Sequence, residues 1–208
     1  MDDAWFAVYE KNAESNLPYH SMSCWTEDGF LELFDVTFKL VENLDEVVSV
    51  LDVGSGPGVY CNEFFKRGFS VEGVDYSPAV INKAKLLFPK ITFKVGSAYN
   101  LDYENNSFDL VTCIGVLQCV LEPEKIISEL ARVSKKYILI STLLRQRKLD
   151  DPMRYFKKKL ETDTWPTRDY HPSEIEDLLI NQGFSVTTIL KNKNKLIKDG
   201  FFIVATKL

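Results

Sequence analysis

The sequence VLDVGSGPG, residues 50–58, indicates the architecture of this 208-residue chain more clearly than any other stretch. An apolar run that contains one acid, Asp52, passes into glycines at three alternate positions, Gly54, Gly56 and Gly58. Glycine suits this turn because the backbone there needs angles that side chains resist, and because a ligand can then approach the main chain closely. A buried strand, a glycine-rich turn and a following helix are typical of a nucleoside-binding α/β fold.

A second acid stands at the end of the next apolar run. The sequence FSVEGVD, residues 69–75, has the pattern of a strand, and its last residue is Asp75. A carboxylate at the tip of this strand can accept two hydrogen bonds from the hydroxyl groups of a ribose. Enzymes that bind NAD and enzymes that bind S-adenosylmethionine (SAM) both use this arrangement, so the acid alone does not separate the two cofactors.

The spacing of the turn favours SAM over a dinucleotide. A dinucleotide turn has the pattern G-x-G-x-x-G, which places a small residue at position 59, whereas this chain has Val59 there. Pro57 occupies the predicted first helical position and has no N–H group that could donate to a pyrophosphate. SAM has no phosphate, so the missing donor does not weaken its binding. A glycine turn that serves only as a tight connection is the alternative.

Length and composition predict one soluble domain over residues 1–208. Hydrophobic residues make up 45% and charged residues 26% of the chain, which is ordinary for a globular protein. No apolar run approaches the roughly 18 residues of a membrane span. The first residues, MDDAWFAVYEKN, do not resemble a signal peptide. We therefore expect a cytoplasmic protein that does not contact a membrane.

Charge and metal-ligand content limit the partners that the sequence predicts. The net charge of −5 argues against a nucleic acid as the main partner. The four cysteines form no C-x-x-C pair and the chain has only two histidines, so we expect no metal site. The sequence leaves the choice between a monomer and a homodimer open.

Strand-like and helical patterns alternate along most of the chain. The predicted strands are residues 47–53, 70–75, 91–95, 108–114, 137–141, 184–190 and 201–207. Helices separate the first five, and the last two form an antiparallel hairpin. This order predicts an α/β fold with a doubly wound, seven-stranded, mostly parallel sheet that a C-terminal antiparallel hairpin completes. Ligands bind such sheets at the carboxyl ends of the strands, where the glycine turn and Asp75 both fall.

These motifs resemble those of the class I SAM-dependent methyltransferases, in particular the small-molecule type. The likeness covers residues 47–141, the helix over residues 172–183 and the final hairpin. VLDVGSGPG is similar to the family's first motif, and GVDYS, residues 73–77, to the motif with its ribose-binding acid. VGSAYNLDYENNSFDLV, residues 95–111, resembles the adenine loop and the fourth strand. The resemblance implies transfer of a methyl group from SAM to oxygen or nitrogen of a small molecule.

The resemblance also implies ten cofactor-binding residues. These are Asp52, Gly54, Gly56, Gly58, Asp75, Tyr76, Ser97, Ala98, Ile114 and Gly115. The acid and the glycines of the first turn would hold the methionine portion. The second-strand acid would bind the ribose, and the tyrosine after it would lie on one face of the adenine. The serine and alanine after the third strand would bind the adenine edge, and the isoleucine and glycine after the fourth would lie near the sulfonium.

Three features depart from the family pattern. Ser97 stands where the family usually has an acid, and serine accepts a hydrogen bond without charge assistance, so we expect modest cofactor affinity. The loop after Ser134 lacks the usual proline and glycines, which predicts an altered entry to the fifth strand. Gln118 and Cys119 stand where a histidine is often found, so no general base is expected at that position.

Two segments lie outside the alternating pattern. Residues 1–46 are expected to form an N-terminal helical and aromatic lid, with residues 1–27 irregular and a helix from about residue 30 to residue 44. Residues 142–171 are long, charged and aromatic. Long ordered insertions in compact domains are often lids or binding loops, so we expect this segment to cap the acceptor pocket.

The catalytic candidates are the two histidines, His20 and His171. A general base is needed only if the acceptor must lose a proton. His171 precedes Pro172 at a predicted helix start, so a capping role is its alternative. The candidates for contact with the acceptor are Tyr9, Tyr19, Gln118 and Arg168. Packing or a solvated surface is the alternative for these four.

Two other functions stay open at the level of sequence. An NAD(P)-linked oxidoreductase would use Tyr155 and Lys159, which have the spacing of a Tyr-x-x-x-Lys pair within a run of lysines. A non-catalytic SAM-binding module would keep the same cofactor residues and act through contact with a partner. Binding of SAM rather than NAD(P)H excludes the first, and turnover excludes the second.

Overall fold

A mostly parallel sheet is the central feature of the computed structural model, which describes residues 2–15, 18, 27–146, 167–191 and 200–208. Its strands are β1 Ser49–Val53, β2 Ser70–Asp75, β3 Thr92–Val95, β4 Phe108–Ile114, β5 Ser134–Leu143, β6 Phe184–Lys191 and β7 Gly200–Lys207. Their order in the sheet is β3-β2-β1-β4-β5-β7-β6. β7 runs antiparallel to β5 and β6, and the other neighbouring strands are parallel. The predicted fold class is confirmed.

Helices cover both faces of this sheet. They are α1 Asp2–Glu14, α2 Glu27–Val41, α3 Val59–Lys66, α4 Pro78–Leu87, α5 Pro123–Val133 and α6 Pro172–Asn181, with a 3-10 turn at Leu117–Cys119. Proline is the first residue of α4, α5 and α6, a position where its missing N–H is not needed. At the start of α4, Ser77 Oγ accepts a hydrogen bond of 3.1 Å from the Val80 amide. The start of α3 was predicted wrongly, since this helix begins at Val59 with Gly58 as its N-cap and not at Pro57.

Alternate residues of the strands enter two separate hydrophobic layers. Val50 of β1 and Leu110 of β4 pack among side chains of α2, α3 and α4. Their chain neighbours Leu51 and Val111 pack instead among side chains of α5 and α6. All four side chains are fully buried. Burial on both faces explains the nearly continuous apolar runs of these strands.

β5 begins directly after α5, earlier than the sequence predicts. α5 ends at Val133 and β5 begins at the next residue, Ser134, with no loop between them. The pairing of β4 with β5 is irregular at this end, between Phe108 and Leu110. β5 therefore starts three residues earlier than predicted.

The prediction that residues 1–27 are irregular was wrong for the first part of the segment, since Asp2–Glu14 forms helix α1. This helix packs chiefly against α4, and that contact buries Trp5 and Ala13. Polar residues interrupt any apolar stripe along α1, so its stability depends on tertiary contact more than on its own pattern.

Candidate active site

A cavity of about 190 Å³ lies at the carboxyl ends of β1, β2, β3 and β4. β1 pairs with both β2 and β4, so this edge is the switch point at which open α/β sheets bind ligands. Eight of the ten predicted cofactor-binding residues line the cavity. They are Gly54, Gly56, Asp75, Tyr76, Ser97, Ala98, Ile114 and Gly115. The fold thus brings four separate segments of the chain to one site.

A smaller cavity of about 40 Å³ adjoins the first. Its own lining includes Asp52, Ser55 and Tyr60, which are polar, and the ring of Phe30. The residues that line both cavities are Gly54, Gly56, Pro57 and Ile114. The glycine turn and the end of β4 therefore form the junction between a large chamber and a small polar one.

The backbone at Gly54 explains the first glycine of the turn. Gly54 has φ +77°, and its amide donates a hydrogen bond of 2.7 Å to the carbonyl of Val74 in β2. A Cβ atom at this position would lie 2.2 Å from Cγ2 of Val116, a residue of the cavity wall. Both the conformation and the close approach therefore require glycine.

Gly58 has a different place from the other two glycines of the motif. It precedes α3 with φ +82°, and a Cβ atom there would lie 2.5 Å from the ring of Phe93. Gly58 belongs to the lining of neither cavity. The structure gives it a packing role beneath the turn, and its predicted contact with the cofactor stays a prediction.

Asp75 ties the glycine turn to the end of β2. Its Oδ2 accepts a hydrogen bond of 3.0 Å from the Gly56 amide, and its Oδ1 accepts one of 3.0 Å from the Ser77 amide. Burial raises the pKa of this carboxyl above its ordinary value, although these backbone donors favour the ionised form. The carboxylate also lines the large cavity, so it can accept further hydrogen bonds from a ligand.

Helix α1 forms part of the wall on the side of Asp75. Tyr9 and Ala13 line the large cavity, and the Tyr9 ring meets Tyr76 edge to face with centroids 6.4 Å apart. Glu10 Oε1 accepts hydrogen bonds from Ser77 Oγ at 2.5 Å and from the Ala79 amide at 3.1 Å. A carboxylate at the start of α4 also interacts favourably with the helix dipole. These contacts hold α1 beside the predicted ribose and adenine residues.

The loop after β3, which carries Ser97 and Ala98, is anchored by helix α5. Glu129 Oε2 accepts a hydrogen bond of 2.7 Å from the Leu101 amide, and Arg132 donates one of 2.7 Å to the Leu101 carbonyl. Ser97 Oγ accepts a hydrogen bond of 3.2 Å from the Tyr99 amide within the loop. The Ser97 hydroxyl, which stands where the family usually has an acid, therefore also stabilises the turn over residues 97–99.

Gln118 and Arg168 line neither cavity. The Arg168 amide donates to the Gln118 carbonyl at 2.8 Å, and its side chain donates to the Leu121 carbonyl at 3.2 Å. Tyr170 adds a hydrogen bond of 2.8 Å from its hydroxyl to the Leu117 carbonyl. The geometry gives these residues a part in holding the loop after β4, and their contact with an acceptor stays a prediction.

His171 occupies the N-cap position of α6. Its Nδ1 accepts a hydrogen bond of 3.4 Å from the Ser173 amide and lies 3.0 Å from Ser173 Oγ. His171 is absent from the lining of both cavities. The geometry supports the capping alternative for this residue.

We expect His171→Ala to lower the free energy of unfolding by about 1 kcal/mol, because it removes the acceptor at the helix start. His171→Asn supplies a side-chain oxygen that can accept the same hydrogen bond, and it should therefore restore most of that stability. Chemical denaturation of the three proteins measures the difference. A fall in turnover larger than the unfolded fraction explains would contradict the capping role.

Several predicted residues lie outside the part of the chain that the structure describes. Tyr19 and His20 are among them, as are Tyr155 and Lys159 and most of the segment over residues 142–171. Within the described ranges, no group of three or more potential ligands could hold a metal ion. None of the helices there is long and apolar enough to span a membrane.

A protein-family model matches the part of the chain that forms most of this site. The family model described as "Methyltransferase domain" matches residues 51–138, which include the glycine turn, Asp75 and the strands β2 to β4. Over this stretch the chain is similar to the class I SAM-dependent methyltransferases. SAM is accordingly the cofactor of this fold, and the predicted resemblance is confirmed.

Curated relatives share part of this methyltransferase sequence. Norajmaline N-methyltransferase of Rauvolfia serpentina is 34% identical over 112 residues, which cover 50% of this chain and 36% of the relative. Ubiquinone biosynthesis O-methyltransferase of Saccharophagus degradans is 31% identical over 143 residues, which cover 60% and 58%. The chain thus spans about a third to three fifths of the length of these relatives.

A solved methyltransferase structure shares the fold over nearly the whole chain. The crystal structure of magnesium protoporphyrin IX methyltransferase from Synechocystis PCC 6803 with bound SAH aligns with a TM-score of 0.70. The alignment covers 99% of this chain and 93% of that one, at 19% sequence identity. At this identity the likeness supports the fold alone.

The two cavities fit the two ends of SAM. The large chamber offers the Asp75 carboxylate to a ribose and the apolar side chains of Val74, Val80 and Ile126 to an adenine. The small chamber contains the buried Ser55 hydroxyl, whose oxygen has no hydrogen-bond partner among the residues that the structure describes. A buried hydroxyl without a partner is costly, so this group suits the charged amino-acid end of a ligand.

Sequence reasoning missed several residues of the candidate site. Ser55 and Tyr60 were not singled out, although Ser55 stands within the glycine motif itself. Val80 and Lys83 of α4 also line the large cavity, and their i, i+3 spacing after Asp75 was a usable signal. Val116 is identifiable only from its contact with Gly54 in three dimensions.

Proposed function

We propose that this chain transfers the methyl group of SAM to a small-molecule acceptor, at oxygen or nitrogen, by in-line displacement. The observation that carries the proposal is the pair of joined cavities at the switch point of the sheet. One chamber suits a nucleoside and the other suits an amino-acid group. Gly54 and Ile114 line both, so the sulfur between those two groups would lie beside them.

Bound SAM supplies an activated methyl group on a positively charged sulfur with a neutral leaving group. The chain's own residues then have to orient the reactants and exclude water. Alignment of this kind is worth up to roughly 7–11 kcal/mol. Ile114 and Gly115 would form a fixed floor on one side, while Tyr9 and Ala13 would limit access of water on the other.

Proton transfer has a smaller part in this proposal. Among the described residues that line the two cavities there is no histidine. The acids there, Asp52 and Asp75, accept hydrogen bonds from the protein and are assigned to the cofactor. An acceptor that can attack the methyl group without first losing a proton, such as an unprotonated amine, therefore suits this site best. His20 stays a candidate base for a hydroxyl acceptor.

The relatives support a small-molecule acceptor, since an N-methyltransferase of norajmaline and an O-methyltransferase of ubiquinone biosynthesis are among them. We propose that residues 1–46 form a lid, that residues 142–171 cap the acceptor pocket, and that Tyr9 and Tyr19 contact the acceptor. The net charge of −5 supports an enzyme that does not act on nucleic acid. We further propose a cytoplasmic location and a monomer or homodimer.

The decisive experiment separates cofactor binding from turnover. Calorimetry with SAM, and with NADPH in parallel, is expected to give saturable binding of SAM alone. Incubation with methyl-labelled SAM and fractionated cell-extract metabolites then identifies the acceptor by mass spectrometry. Binding of NADPH without SAM would overturn the proposal. Binding of SAM without labelled product from any fraction would favour a non-catalytic SAM-binding module.

A further inference from the structure

The carboxylate of Asp52 accepts hydrogen bonds from two buried side chains of the protein. In the sheet, Asp52 of β1 stands directly opposite Thr112 of β4. Thr112 Oγ1 donates to Asp52 Oδ1 at 2.7 Å, and Cys61 Sγ of α3 lies 3.6 Å from Oδ2. Thr112 and Cys61 are fully buried and Asp52 is 2% exposed. The stronger of the two donors is the Thr112 hydroxyl. Because it is buried, no water molecule can take its place if it is removed.

The groups around Asp52 act on its charge in opposite directions. Burial and the carboxylate of Asp75 in β2 oppose ionisation, whereas Thr112 and Cys61 favour it. The ionisable side chains nearby are Tyr60 and Cys61 of α3 and Cys113 of β4, and all three have raised pKa values and stay neutral near pH 7. The ring of Phe30 from α2 adds an apolar wall. The Thr112 hydroxyl therefore has a large share in keeping Asp52 charged.

We propose that Thr112 is a positioning residue for cofactor binding: its hydroxyl, hydrogen-bonded to Asp52, keeps this carboxylate charged so that it receives the ammonium group of SAM. This inference rests on the proposed function, because it assumes that the amino-acid end of SAM enters the small cavity. Thr112 lines neither cavity, so it acts through Asp52 and does not touch the cofactor.

The proposal predicts a pH dependence of cofactor affinity with a definite sign. Burial raises the pKa of Asp52 to about 6. A protonated carboxyl does not attract an ammonium group, so SAM affinity falls as the pH is lowered through about 6. Removal of the Thr112 hydroxyl disfavours the charged form and moves this midpoint to higher pH, by about one unit.

The experiment compares the wild type with Thr112→Val and Thr112→Ser by calorimetry with SAM from pH 5.5 to pH 8.5. A shift of about one unit makes Thr112→Val about fivefold weaker than the wild type at pH 6 and indistinguishable from it at pH 8.5. Thr112→Ser keeps the hydroxyl and should restore the wild-type profile. Thr112→Ala, which also lacks the donor, replaces Thr112→Val if that variant does not fold.

A second ligand makes the test specific for the small cavity. 5′-Methylthioadenosine has the nucleoside and the sulfur of SAM but no amino-acid group. Its affinity should show neither the midpoint near pH 6 nor any effect of Thr112→Val. A loss of SAM affinity that is equal at every pH, or that extends to methylthioadenosine, would assign Thr112 a structural role and overturn the inference. Failure of the wild type to bind SAM at any pH would instead overturn the proposed function.

Discussion

Replacement of Asp75 by alanine is expected to lower the affinity for SAM at least tenfold. The carboxylate lies at the end of β2 in the wall of the large cavity, where it can accept hydrogen bonds from both ribose hydroxyls. Hydrogen bonds to a charged group are worth about 1.5–3 kcal/mol each, so loss of one accounts for a tenfold effect. The change also removes the acceptor of the Gly56 amide, which loosens the turn itself.

Asp109 provides a matched control for this experiment. It is also a buried acid, and its Oδ2 accepts hydrogen bonds from the amides of Val48 and Ser49 and from the Ser49 hydroxyl. These contacts lie at the amino end of β1, and Asp109 lines neither cavity. Asp109→Ala should lower thermal stability and leave the Kd for SAM unchanged in calorimetry. An unchanged Kd for Asp75→Ala, with folding intact, would refute the assignment of the ribose site.

The sheet was predictable from sequence because its strands are buried on both faces. Val50 and Leu51 enter different hydrophobic layers, so an apolar side chain is needed at both positions. The same reasoning explains why the residues that follow these strands were predicted to share one site. In a parallel sheet the carboxyl ends meet at one edge whatever the details of packing.

Helix α1 was not predictable in this way. Trp5 and Ala13 are buried in a helix that packs chiefly against α4, and Glu10 accepts hydrogen bonds from Ser77 and Ala79 at the start of α4. A local pattern cannot encode a partner that is more than 60 residues away. Tyr9 was predicted to contact the acceptor, and its place in the cavity wall was found only in three dimensions.

The glycine motif shows a limit of spacing as a guide to function. The resemblance implies the same role for Gly54 and Gly58, and both have positive φ in the structure. The direction of the absent Cβ differs, because at Gly54 it points to Val116 of the cavity wall and at Gly58 to Phe93 of the core. Only the folded backbone distinguishes a glycine that admits a ligand from one that admits a neighbouring side chain.

The wall that contains Val116 is held by the far end of the insertion. Three carbonyl groups in the loop after β4, those of Leu117, Gln118 and Leu121, accept hydrogen bonds from Arg168 and Tyr170. The Tyr170 amide also donates to the Leu143 carbonyl, which joins the two ends of the segment. The proposed acceptor cap and the cavity therefore share one hydrogen-bonded loop.

Gly54→Ala tests this wall and is expected to have the largest effect on the site. The new methyl group would lie 2.2 Å from Cγ2 of Val116, so Val116 must turn away from its present position. The left-handed backbone adds about 1–2 kcal/mol of strain and the overpacking about 1–3 kcal/mol. We expect a loss of about 2–5 kcal/mol in the free energy of unfolding, together with more than a tenfold loss of SAM affinity.

Variants at Gly68 and Val116 separate the cost of backbone strain from the cost of the collision with Val116. Gly68 also has positive φ, at +91°, but apart from its chain neighbours no described residue has an atom within 4 Å of its absent Cβ. Gly68→Ala should therefore lose only the strain of about 1–2 kcal/mol, with an unchanged Kd for SAM. In a double-mutant cycle, Val116→Ala removes the colliding methyl groups and should recover part of the stability that Gly54→Ala loses. If denaturation shows purely additive losses for the pair, the collision does not occur and the position of the Gly54 turn against the cavity wall is wrong.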